Sequence, residues 1–138
     1  MERFSMRKYE NYVSALKVLR EAPFQDLNSE FVQSGIIGKF ALQFELSWKL
    51  LKRVLSYEGD ARAASGSPRE IITEAYSHFD FLDEETWLSM LRYRSSTTHI
   101  YDVGAAKRLV NSVLHQYIPE FERLESALLA RYGVTLTS

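Results

Sequence analysis

Ile37, Phe40, Phe44, Trp48, Leu51 and Leu55 succeed one another in steps of three and four residues, and no proline interrupts them. That spacing places six large apolar side chains on one stripe of an α-helix. Asn28 or Ser29 can cap its start and Gly59 closes it, giving about thirty residues at ~1.5 Å each, a rod on the order of 40 Å. A stripe of that length must be covered by other helices packed along it, so the chain is constrained to a helical bundle.

The flanking segments supply those helices. A first helix runs from about Glu2 to Arg20, with Tyr9, Val13, Leu16 and Leu19 next to Arg20 on its inner stripe, and Pro23 stops it. "DARAASGSPRE" is a loop that ends in a helix start: Ser67 caps, Pro68 takes the first helical position and Glu70 completes a capping box. This third helix is short and ends near Phe79. Asp83, Glu84 and Glu85 place acid at the N-terminus of a fourth, which presents Trp87, Met90, Leu91 and Arg94 on one face. The last helix begins near Asp102 with Leu109, Val113, Tyr117, Phe121, Leu124 and Leu128 inward, and Pro119 is expected to kink it. No segment alternates and no repeat is visible. The expected fold is all-α, an up-and-down four-helix bundle with an additional short helix, in one domain over residues 1–138. Aromatic residues make up 13% of the chain. Phe40, Phe44, Trp48, Tyr117 and Phe121 sit at core spacing, so they read as packing and not as a platform for bases.

A net charge of −1 provides no global field toward nucleic acid or an anionic membrane, so any nucleic-acid contact must come from a local patch. The absence of cysteine excludes disulfides, thiolate catalysis and cysteine metal sites. The N-terminal "MERFSMRKYENY" has no apolar signal run, and no stretch approaches a membrane span. The expectation is a soluble, cytoplasmic domain without membrane contact.

One stretch departs from this pattern. In "LRYRSSTTHIYDV" small hydroxyl residues separate Arg94 from His99, and Tyr101 and Asp102 follow after Ile100. A guanidinium offers a fork of donors for phosphate, and an imidazole moves protons near neutral pH. Together they can act on a phosphodiester without metal: His99 takes a proton from a ribose 2′-hydroxyl while Arg94 holds the developing charge. The same residues have a structural reading, in which Arg94 caps helix carbonyls, His99 bonds within a turn and Asp102 is an N-cap.

The order of three segments, "GIIGKFALQFELSWKLLKRVL", "SPREIITEAY" and "WLSMLRYRSSTTHIYD", resembles the nucleotidyltransferase substrate-binding protein family, helical bundles of the wider HEPN class. The resemblance covers roughly Tyr9 to Leu128. It implies a homodimer that pairs with a small, separately encoded minimal nucleotidyltransferase and serves as its substrate-binding subunit, with RNA or a nucleotide as ligand. The alternative it implies is a metal-independent ribonuclease toxin that uses Arg94 and His99. The nucleotidyltransferase is then its antitoxin and adenylylates Tyr101. Ser95 and Asp102 would support the site. The sequence departs from the family pattern at Ser95, where Asn or Asp is usual, at Tyr93, where an acid is usual, and at Val103, where Glu is usual; Ser95 argues against the ribonuclease.

Other candidates fall away. His78 and His115 with His99 lack metal-ligand spacing, so no metal and no cofactor are expected. "SGIIGK" lacks the glycines and the hydroxyl of a phosphate-binding loop, and the chain has no signature of a nucleotidyltransferase itself. Arg62 and Arg69 flank the "AASGS" loop and read as solvated.

Overall fold

The computed structural model describes residues 6–94 and 102–137, without the side chains of Met6 and of 134–137. Among the described residues there are six α-helices: α1 (Met6–Leu19), α2 (Glu30–Tyr57), α3 (Pro68–His78), α4 (Glu84–Arg94), α5 (Val103–Ser112) and α6 (Ile118–Thr137). Short 3₁₀ turns lie at Ala22–Phe24 and Ala61–Ala64, and there is no strand among the described residues. The all-α bundle agrees with the sequence pattern. No helix among the described residues is long and apolar enough to cross a membrane.

The 28 residues of α2 span about 42 Å and form the spine against which α1, α3, α4 and α5 pack. Phe40, Phe44, Leu51 and Leu55 are buried as their spacing requires, while Ile37 and Trp48 lie half-buried at the margin of the core. Ile36, Leu50 and Val54 complete the inward face together with three polar residues, Gln33, Gln43 and Ser47. Each of the three finds a backbone partner. Gln33 donates to the Leu27 carbonyl at 2.9 Å, Gln43 to that of Tyr12 at 3.1 Å, and Ser47 to that of Gln43 at 2.6 Å. Tyr12 extends the link by donating its hydroxyl to the Phe121 carbonyl at 2.6 Å. On the rim, Arg20 ties α1 to α6 through Glu122 at 2.9 Å and Glu125 at 2.8 Å.

The local signals operate as chemistry dictates. Ser29 accepts from Val32 N at the start of α2, and Ser67 and Glu70 form a reciprocal capping box at the start of α3. The long C-terminal segment is interrupted next to Pro119, where the chain widens into a π-turn at Val113–Tyr117 and Ile118 N donates to the Val113 carbonyl. The widened turn lies where the ring of Pro119 meets the carbonyl four residues back, that of His115. Directly after the proline, the buried Glu120 accepts from Trp87 Nε1 at 3.0 Å and from Asp83 N at 3.3 Å, so α6 and α4 are joined at their N-terminal ends.

The C-terminus of α2 is a Schellman motif. Gly59 N donates to the Ser56 carbonyl and Asp60 N to the Leu55 carbonyl, and Gly59 has φ of 89°, the left-handed region. A Cβ at Gly59 meets nothing within 4 Å, so only backbone strain opposes a side chain there. Gly59→Ala is therefore expected to lower unfolding free energy by about 1 kcal/mol in urea titrations; an unchanged midpoint would contradict this assignment.

Candidate functional site

Arg94 is the last residue of α4, and its side chain is 29% exposed. Its Nη2 donates to Glu45 Oε1 of α2, and its guanidinium carbon lies 5.8 Å from the centre of the Phe44 ring. The second oxygen of the same carboxylate accepts from Trp48 Nε1 at 3.0 Å. Glu45 thus bridges an arginine of α4 and a tryptophan of its own helix, one turn further on. Burial pushes the Glu45 carboxyl up. The hydrogen bonds from Arg94 and Trp48 and the charges of Arg94 and Lys49 outweigh it, and the carboxyl stands below its ordinary value. The arginine is held, half-sheltered, with its charge matched by a carboxylate that stays ionised.

Trp48 also forms one wall of a cavity of about 410 Å³ lined by Lys8 of α1, Lys49, Lys52, Arg53 and Ser56 of α2, and Ala63 and Ala64 of the 3₁₀ turn. Four cations meet around one indole in a chain whose net charge is −1. This is the local patch that an anionic ligand requires. Lysine and arginine side chains of this kind can bind phosphate. The Glu45 carboxylate links the Arg94 guanidinium to the same tryptophan.

Among the residues expected to carry function, Arg94 is therefore accessible and anchored. Asp102 is the exposed N-cap of α5, accepting from Ala105 N at 3.1 Å, in agreement with its structural reading. Ser95, His99 and Tyr101 lie outside the described residues. His115 is exposed on the π-turn, and Arg62 is solvated beside Glu74 at 3.4 Å. Glu45, Trp48 and the lysines were not singled out by motif. The signal for them was "SWKLLKR", in which residues 48, 49, 52 and 53 share one outward side of α2.

The aromatic surroundings are packed. Tyr117 stacks on Phe40 with ring centres 5.2 Å apart, and its hydroxyl bonds the Ser89 side chain. Tyr93 packs half-buried against the core, its ring centre 6.3 Å from that of Tyr117.

A family model described as nucleotidyltransferase substrate binding protein like matches residues 7–130. No curated protein matches the chain.

The Glu45 pair gives a pH test. A carboxyl with a depressed folded-state pKa adds stability that is present above its unfolded pKa, ~4.3 for glutamate, and is lost as pH falls through the folded value. Glu45→Gln is expected to cost on the order of 1 kcal/mol at neutral pH. The gap from the wild type should shrink as pH falls below about 4 in urea unfolding series; a pH-independent gap would show that Glu45 acts by packing alone.

Proposed function

The chain belongs to the nucleotidyltransferase substrate binding protein like family, and from that premise we propose that it is the substrate-binding subunit of a two-component system whose other member is a separately encoded minimal nucleotidyltransferase. The observation that carries this reading is the Glu45 bridge, which links Arg94 to Trp48, itself a wall of a cavity lined by four cationic residues. Phosphate groups of a nucleotide or an RNA end bind the lysines and Arg53. The indole of Trp48 supports the base, and Arg94, joined to it through Glu45, holds further negative charge.

On this reading His99 and Tyr101 take part in the function, and Tyr101 is an acceptor for the partner enzyme. Its phenol oxygen gives up its proton to solvent and attacks the α-phosphorus of ATP, pyrophosphate leaves, and the bound adenylyl group adds a negatively charged phosphate to the chain. The ribonuclease alternative rests on Arg94 and His99 acting together, and the described geometry lends it no separate support.

Two copies are proposed to pair. Phe24 and Phe31 are 87% and 89% exposed, beside an apolar groove lined by Val18, Leu19, Ala22, Val32 and Ile36. Such a surface favours a contact that covers it.

Lys49 is exposed and Lys52 half-buried on α2, so the double variant Lys49→Glu, Lys52→Glu is expected to keep its fold by circular dichroism. It should lose about tenfold or more in ATP affinity by calorimetry, since charge-assisted contacts to phosphate are replaced by repulsion. Equal affinity, or no measurable ATP binding by the wild type alone or with its transferase, would overturn the proposal.

A further inference from the structure

At the opposite end of α2 from its N-cap, three side chains that the nucleotide-site reading does not use converge. Glu74 and His78 are one turn apart on α3, and Asp60 comes after the Schellman turn of α2. One donor atom from each of the three lies within 4.8 Å of the other two. His78 Nε2 is 3.0 Å from Asp60 Oδ2 and 3.6 Å from Glu74 Oε2.

Burial makes this more than a surface cluster. The Asp60 side chain is only 6% exposed, and its Oδ2 is enclosed without a hydrogen bond, His78 Nε2 lying near it but not aligned as a donor. A buried carboxylate oxygen without a partner is costly and calls for a positive ligand. The other oxygen of each carboxylate is already engaged. Asp60 Oδ1 accepts from Arg62 N at 2.9 Å, and Glu74 Oε1 lies 3.4 Å from Arg62 Nη1. These outer contacts turn Oδ2 and Oε2 toward the imidazole, as outer partners orient ligands in metal sites.

We propose that Asp60, Glu74 and His78 form a binding site for a divalent transition-metal cation. Bonds of about 2.1 Å to such an ion place neighbouring ligand atoms about 3.0 Å apart in octahedral and about 3.4 Å apart in tetrahedral geometry. The observed 3.0 and 3.6 Å separations are of that size. Two carboxylates balance the charge of a dication, and a neutral imidazole selects Zn²⁺ or a similar ion over Mg²⁺. Histidine spacing alone gives no metal site here; the two carboxylates supply what the histidines lack. His78 is 41% exposed, which leaves an entry path and room for water to complete the coordination.

The test uses the whole protein, freed of metal and titrated with Zn²⁺ by calorimetry. The wild type is expected to bind one Zn²⁺ per chain at this site, while His78→Ala and Asp60→Asn lose at least about tenfold in affinity. His115→Ala should retain it. Because Asp60 is nearly buried, proton spectra of the wild-type imidazoles provide a second reading, with the His78 ring resonances shifting on Zn²⁺ addition. Unmoved His78 resonances, or equal affinity in wild type and His78→Ala, would overturn the site and leave an ordinary histidine–carboxylate pair.

Discussion

The other described helices are arranged around α2, and α6 meets it at two places, Phe121 against Phe40 and Tyr132 against Tyr57. A rod about 42 Å long must satisfy its inward face along its whole length, and this one does so with polar as well as apolar groups. Fully buried residues such as Phe44, Leu50 and Leu51 contribute about 2 kcal/mol each from the apolar area removed from water. Gln43 and Ser47 add no such term. They fix register, because the Gln43 amide reaches the Tyr12 carbonyl only when α1 and α2 are aligned, and Tyr12 in turn reaches Phe121 of α6. The three helices are locked in one relative position by bonds that a sliding apolar interface lacks.

The π-turn solves a related problem in the C-terminal segment. One extra residue in the turn rotates the downstream helix by roughly 100°. Tyr117 faces Phe40 and Ser89, and Glu120 meets Trp87, on the two sides of Pro119. Trp87 is fully buried and also lies edge-on to Phe121 with ring centres 5.7 Å apart. This anchors α4 at its N-terminal end, while the Arg94–Glu45 pair holds its C-terminal end to α2. The orientation of Arg94 is thus set from both ends of its helix, and its neighbour Glu45 belongs to the spine itself.

Much of this was legible in the residues, for local reasons. Ser67, Pro68 and Glu70 specify a helix start within four positions, and Ser29 caps α2 as its side-chain chemistry favours. Asp102 was legible as an N-cap on the same grounds. The proline at 119 marked a break, yet its form as a π-turn depends on packing against α2 and α4, which periodicity does not encode. Trp48 has core spacing and sits at the core margin, because its indole N–H finds Glu45 there. Gln33, Gln43 and Ser47 look like surface residues in the sequence and are buried, since their partners lie up to 31 positions away. The Asp60–Glu74–His78 group was hidden likewise: two of its members share a helix face, and the third comes from a turn that only the fold brings near. Ser95, His99 and Tyr101, the residues most exposed to sequence reasoning, lie outside the described structure.

One carboxylate therefore joins the fold to the proposed binding surface: Glu45 bonds the indole of Trp48, which lines the cationic cavity, and pairs with Arg94. The sequence contains two tryptophans, and they occupy opposite situations. Trp48 stands at the cavity with its N–H on Glu45, while Trp87 is sealed in the core with its N–H on Glu120. The two indole N–H signals of a ¹⁵N-labelled sample, tracked while ATP is added, read the central claim directly. The Trp48 signal is expected to move progressively to saturation while the Trp87 signal stays in place. Movement of Trp87 without Trp48, or of neither signal at saturating ATP, would contradict it.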